Sequence, residues 1–473
     1  MTAVVALVVA GALLVWFNRL ERTGRSITVV AALFGLIFVE ALVYESQNTI
    51  PTGLFHPEYR SLSFRLIDIV IPVAVLAHVL GRTRGRPVHT SVLLWLALLL
   101  WLAAAGLLGV YEDNGLKLVG FHGKVIVYLG ALVIAAGVPL QEYLAPGRLE
   151  RFLQWVGAAA LAFIAFDIAG LAVTRDLPLL ALKDFGVMGS DAATIFSSLG
   201  ALALVLGLLT EHGRGRMLAA AVPLLAAPAV ADQRAAFIAL AASLGLVVVV
   251  TACSRRRVRV TPTEVGLAAI AVAGLLLLST MGAIATGGEV KAPLQDRLTT
   301  TFTSYEEVLT TRDRLNQWRA ARPLIEERPI LGWGLGKEYA YYNPGLKRFE
   351  KIDLTHNILG DLLLRSGLVG LGLFGLALAT TSVSLARGWR WHESDRAAAF
   401  ALGAGAVVAG LIGKGMAESI FEKYRLAVVL GLGIGAMISA GLPAEARVAV
   451  RSRPQGSPST SKDRISPRMP ARS

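Results

Sequence analysis

His356 is the only histidine between residues 283 and 366, the longest stretch of the chain without a membrane-length apolar block. An imidazole has an ordinary pKa of about 6.5 and can act as a neutral base near physiological pH. Base catalysis of that kind is typically worth about 10² to 10⁴ in rate. A lone histidine ahead of a helix also commonly does nothing more than hold backbone by hydrogen bonding, and the residue alone leaves both readings open. Arg312, Arg314 and Arg319 precede it on one predicted helix. A guanidinium stays ionised and forks onto paired oxygens, so an arginine there can hold an anion, or it can be a solvated or ion-paired surface residue. Arg312 and Arg319 read as solvent-facing neighbours of Arg314. Arg234 stands at a predicted membrane end, where snorkelling to the interface is the default. Lys124, with His122 nearby, falls inside an apolar block. Charge there is costly and often functional, and Lys124 could face an anionic lipid headgroup or pair with Asp68 or Asp167. Lys414, near the end of its own apolar block, reads as snorkelling. The Gly332 to Gly336 turn follows no predicted strand, which removes a nucleotide-loop reading. Tyr339, Tyr341 and Tyr342 could stack on sugar, but an interfacial aromatic belt is the better reading. The links on the predicted outer side hold no Asp-x-Asp and no His/Cys cluster, so a metal-independent site is expected.

The elements that must position these residues are membrane helices. The chain has 473 residues, is 55% hydrophobic and only 17% charged, and its mean hydropathy is +0.60. The apolar residues gather in blocks near 3–17, 27–44, 64–80, 91–110, 118–138, 153–173, 191–210, 217–231, 235–252, 264–282, 367–386, 397–416 and 425–442. By the length rule these are about thirteen crossings. One cysteine, Cys253, allows no internal disulfide. The net charge of +13 does not point to nucleic acid, because the basic residues lie in short links and in the tail rather than on one folded domain. Every second link is basic, among them Arg19 to Arg25, Arg82 to His89, Gly147 to Arg151 and Arg255 to Arg259. The positive-inside rule then puts these links and the C-terminus in the cytoplasm and the N-terminus outside. No cleavable signal peptide is evident, and the first block reads as a retained helix. The expected division is 1–282 as about ten membrane helices, 283–366 as a large extracytoplasmic loop, 367–445 as the last membrane helices, and 446–473 as a disordered basic tail, rich in Ser, Pro and Arg.

Within the large loop, Glu306 to Ile325 is expected to be helical, with Leu309, Leu315, Trp318 and Ala321 on one side and Arg312, Arg319 and Glu326 on the other. Arg328-Pro329 stops it. A second helix is expected from near Thr355, capped by Thr355 or Asp353, running into the next crossing. No internal repeat, direct or inverted, is visible.

The run from Arg312 to Leu376 resembles the signature of the O-antigen ligase and polymerase superfamily. The matching residues are Arg314 with Trp318, then Pro329 with Gly332, Gly334 and Gly336, then His356 with Asn357, then Gly367 with Gly370. Arg234, within Ala231 to Ala236, matches a second and weaker family patch in which Asp232-Gln233 replaces the usual Ser. The resemblance implies an all-α integral membrane protein of about 12–13 transmembrane helices with one large, mostly helical extracytoplasmic loop, sited in a bacterial plasma membrane. It implies transfer of an oligo- or polysaccharide from an undecaprenyl or other polyprenyl diphosphate carrier to an acceptor hydroxyl of a glycan, lipid or protein on the outer face, without cofactor. For that chemistry Arg314 and Arg234 are candidate diphosphate holders and His356 is a candidate base or phosphate contact. Lys124, Asn357 and Arg312 are candidate substrate-binding residues. Preorganised donors of this type can supply roughly 3 kcal/mol each. A repeat-unit polymerase would carry the same motif. A lipid or sugar transporter is the rival from another class, and it leaves the long loop unexplained.

Overall fold

In the computed structural model the described residues are 2–23, 25–45, 58–59, 62–63, 66–81, 89–145, 147–173, 190–211, 213–230, 234–253, 305–391, 394–421 and 423–442. Among them eleven helices precede residue 254: α1 (Thr2–Arg22), α2 (Ser26–Glu45), α3 (Leu66–Gly81), α4 (Thr90–Tyr111), α5 (Leu116–Leu129), α6 (Ala131–Gly137), α7 (Leu140–Tyr143), α8 (Arg148–Val173), α9 (Ser190–Leu209), α10 (Arg214–Val230) and α11 (Arg234–Ala252). After residue 304 come α12 (Tyr305–Glu327), α13 (Ile358–Trp391), α14 (Asp395–Ala417) and α15 (Tyr424–Ala440). Each expected apolar block inside the described residues is helical. The block 264–282, the first part of the loop and the tail from 446 lie outside them.

Among the described residues six helices are long and apolar enough to cross a membrane, and three shorter ones are apolar as well. This is an all-α, multi-pass integral membrane protein. The helical form follows from the solvent: in hydrocarbon every backbone amide must be bonded internally. Pro72 in α3 and Pro223 and Pro228 in α10 are carried inside such helices. With no hydrophobic drive between helices in lipid, small residues set the contacts. Gly431 and Gly435 of α15 let it press on the backbone around Leu129 and Leu132 of α5 and α6. Gly403 and Gly410 of α14 do the same against Leu202 and Ser198 of α9. As a result α9, α14 and α15 form the buried centre of the bundle.

The loop departs from an all-helical reading. Its tyrosine-rich stretch is an antiparallel hairpin, β3 (Tyr339–Asn343) with β4 (Arg348–Ile352), in register Tyr339 to Ile352 and Tyr341 to Glu350. A shorter pair, β1 (Glu58–Tyr59) and β2 (Leu62–Ser63), lies between α2 and α3. Alternation explains β3: Tyr339 and Tyr341 are buried while Tyr342, 43% exposed, is not. Two of the three tyrosines are therefore core residues of the loop rather than members of a belt. Asn343 closes the turn, its side-chain oxygen accepting from the amides of Gly345 and Leu346.

The buried face of α12 also differs from the expected one. Gln317 and Ala321 are buried, whereas Leu315 and Trp318 are 44% and 38% exposed. The helix leans on the hairpin and on α13, and these partners cover the stripe one position round from the one apolarity suggested.

Candidate active site

The glycine-rich turn is built by a break in α13. Gly367 has φ +63 and ψ −166, which interrupts the helix and frees backbone groups that must be bonded elsewhere. The turn supplies those bonds. The amides of Trp333 and Gly334 donate to the carbonyls of Leu364 and Arg365 (2.9 and 3.0 Å). The amides of Leu368 and Val369 donate to Pro329 and Ile330 (2.8 and 3.3 Å). Gly332, Gly334 and Gly336 all have positive φ, which side chains disfavour. A Cβ on Gly334 would collide with the backbone of Gly109 in α4, and one on Gly367 with the carbonyl of Ile330. On its other side the turn bonds α4: Leu335 donates to the carbonyl of Ala105 (2.9 Å), and Asn114 donates to Trp333 and Leu335 (2.8 and 3.1 Å). Trp333 lies between the cations of Arg328 and Lys337, 4.0 and 3.9 Å from its ring centre. The Pro-x-x-Gly-x-Gly-x-Gly spacing therefore staples the loop to the membrane bundle.

The His-Asn pair opens α13. The helix starts at Ile358, so its cap is Asn357 rather than Thr355 or Asp353: the Asn357 side-chain oxygen accepts from the amides of Leu359 and Gly360 (2.9 and 3.2 Å). This is the reach from an N-cap to the second and third helical amides. Its side-chain amide nitrogen donates to the carbonyl of Met416 at the end of α14 (2.9 Å). Thr355 is buried beneath, its amide and hydroxyl both bonded to Asp361 (2.8 and 3.0 Å). Between them His356 takes φ +49, a left-handed conformation uncommon for a residue with a Cβ. The chain thus holds the imidazole out of the helix line, half-buried, at the junction of loop and bundle.

Arg314 and Trp318 are one turn apart on α12 and share a face. The Trp318 ring lies against Gly360, where an added Cβ would meet it at 2.9 Å. That contact seats α12 across the start of α13, where the charge of the exposed Arg314 acts on His356. Burial and then the Arg314 guanidinium hold the His356 pKa below its ordinary value, against the opposing carboxylates of Glu418, Asp361 and Asp313. The imidazole is therefore neutral near pH 7. Arg312 is exposed on the same helix.

A charged cluster that the sequence reading passed over adjoins this notch. Lys414 does not snorkel; it is 0% exposed, because its helix is central and its end is roofed by the loop. Its ammonium bonds Asp191 at 2.9 Å and approaches Glu418 at 3.5 Å, and Lys423 pairs with the same two carboxylates. Burial alone would lower the Lys423 pKa, but Asp191 and Glu418 outweigh it and raise it. The signal in the sequence was the set of ionisable residues at ends of three apolar blocks on one predicted side, which a pairwise reading missed.

Lys124 sits in a second cluster. Its ammonium bonds Asp68 at 2.6 Å, and Tyr128 bonds the other oxygen of that carboxylate at 2.5 Å. Of the alternatives open to Lys124, the structure places it with Asp68; the side chain of Asp167 lies outside the described residues. His122 bonds Asp353 at 2.9 Å, which also receives charge from Arg365. Burial would raise the Asp353 pKa, and these partners outweigh it and lower it. Arg234 is the first residue of α11. Gly413 of α14 packs on Ile238, so the start of α11 stands at the level of Met416 and Asn357. The side chain of Arg234 and residues 231–233 lie outside the described residues.

Fold and site together define a multi-pass membrane protein with a histidine- and arginine-bearing notch under a stapled loop. Residues 219–375 match the family model described as O-antigen ligase, and this match supports membership of the O-antigen ligase and polymerase superfamily. The family indicates glycosyltransferase-type activity in general, a lipid-linked glycan substrate and association with a membrane. None of the curated proteins compared matches the chain.

Proposed function

We propose that the protein transfers an oligo- or polysaccharide from a polyprenyl diphosphate carrier to an acceptor hydroxyl on the outer face of a bacterial plasma membrane, as a ligase and without a metal. The observation that carries this reading is His356, half-buried in a left-handed turn at the start of α13, with the charge of the exposed Arg314 acting on its imidazole. A neutral imidazole can take the acceptor proton as the new glycosidic bond forms. A guanidinium can hold the diphosphate that departs with its electron pair, and such electrostatic help is commonly the largest single contribution. Arg234, by the placement of its helix start, is a second diphosphate holder. Asn357 fixes the His356 turn, and Lys124, paired with Asp68, is a further candidate for the lipid diphosphate. Arg312 adds positive charge on the exposed side of α12.

Deletion of the gene followed by analysis of lipid-linked glycans tests the reading. Full-length glycan accumulating on its carrier supports ligation. Loss of a ladder of repeat lengths would overturn ligase in favour of polymerase. Undischarged donor retained on the cytoplasmic face would overturn transfer in favour of transport.

A further inference from the structure

A cavity of about 580 Å³ lies in the half of the bundle away from His356. Chain direction fixes its place. The end of α14 at Met416 touches Asn357, whereas the cavity is lined by Phe400 and Ala404 in the first half of that helix and by Val407 at its middle. Its volume falls within the roughly 300–1,000 Å³ usual for small-molecule sites. The interior is apolar, with Phe34 of α2, Phe152 of α8 and Leu432 of α15 among its walls. Three cations complete the lining: Arg25, Arg148 and Arg151, all exposed. The acids beside them are engaged elsewhere. Glu150 pairs with Arg396, and Glu142, the one carboxylate of the lining, accepts from the amide of Ile27 at 3.2 Å. Among the described residues none of the three arginines has an acidic partner. The first turns of α2 and α8 also begin here, at Ser26 and Arg148, and the positive ends of helix dipoles add to the field. Trp155, 76% exposed on α8, lines the same cavity; tryptophan favours the headgroup level of a bilayer.

We infer that this cavity binds an anionic phospholipid of the surrounding bilayer, with its phosphate on Arg25, Arg148 and Arg151 and an acyl chain in the apolar interior. Charge complementarity is joined here to an apolar cavity, the pattern of basic pockets between membrane helices that hold anionic headgroups. It is independent of the transfer reaction and of the residues assigned to it.

The test is native mass spectrometry of the full chain in detergent, with equal phosphatidylglycerol and phosphatidylcholine of identical acyl chains. The wild type is expected to retain phosphatidylglycerol over phosphatidylcholine by about tenfold. The triple change Arg25→Gln, Arg148→Gln, Arg151→Gln should erase the preference. Ala404→Phe, which fills the cavity and leaves the charges in place, should lower retention of both lipids. A large excess of inorganic phosphate should leave the bound lipid in place. Equal retention of the two lipids by the wild type would overturn the inference. So would a preference that survives the triple change, undiminished retention in Ala404→Phe, or displacement by phosphate, which would mark a site for the free anion.

Discussion

The imidazole of His356 works under two influences that push in one direction. Burial and the positive charge of Arg314 both disfavour the imidazolium, and they outweigh three carboxylates. The sign for catalysis follows. If the neutral form is the base, transfer falls as pH drops through the His356 pKa, and that acid limb lies below the ordinary histidine value of about 6.5. Removing the neighbouring cation stabilises the protonated form and raises the pKa. Arg314→Gln is therefore expected to move the acid limb to higher pH, while lowering the plateau rate about 10²- to 10³-fold through loss of a diphosphate contact. A pH–rate profile for the two proteins checks this, and an unmoved limb would separate Arg314 from His356. At this scale the sequence was legible where one residue type does one job. His356 and Arg314 stood out by type, and in the structure the Arg314 charge acts on the imidazole. Asn357 was harder to read, since an asparagine beside a candidate base reads as a ligand contact, and only the start of α13 at Ile358 shows its side chain bonded as a cap.

At the scale of elements, the glycine turn and the break in α13 are one device. The break exposes carbonyls and amides, and the turn bonds them on one side and α4 on the other. Gly334 has φ +81 and no room for a Cβ against Gly109. Gly334→Ala is expected to cost at least about 2 kcal/mol and to reduce transfer with His356 and Arg314 both intact. Gly372→Ala, in α13 where a Cβ meets nothing within 4 Å, should stay within about 0.5 kcal/mol of wild type. Unfolding midpoints in detergent, read beside activity, distinguish the two; equal behaviour would remove the staple from the account. The helices were readable because bilayer thickness sets their length. The hairpin was not, because its alternation is short and its tyrosines suit a membrane interface equally well. The buried face of α12 was misjudged for a related reason: its partners are a hairpin and a helix start, so burial follows tertiary contacts rather than an apolar stripe.

At the scale of the whole molecule, among the described residues, a buried cluster of charge stands at the loop end of the bundle. Lys414, Lys423, Asp191 and Glu418 join α9, α14 and the approach to α15. Without Lys414 the two carboxylates share the single cation of Lys423, and a buried charge short of a partner is strongly destabilising. Lys414→Met is accordingly expected to lower stability by about 3 kcal/mol, measured as a shift in the denaturation midpoint; an unchanged midpoint would make the cluster dispensable to the fold. No single residue announced this cluster, because Asp191 stands more than two hundred residues before the Lys414, Glu418 and Lys423 it joins.

The proposed transfer from a polyprenyl diphosphate depends most directly on His356. His356→Asn is the sharpest change, since asparagine tolerates the left-handed backbone of this position but supplies no base. The measurement is transfer in proteoliposomes containing EDTA, from a purified polyprenyl-diphosphate glycan to acceptor, with the variant beside wild type and equal amounts of folded protein. Transfer by wild type, reduced about 10²- to 10⁴-fold by His356→Asn, is the predicted result. Equal transfer by both proteins would contradict it.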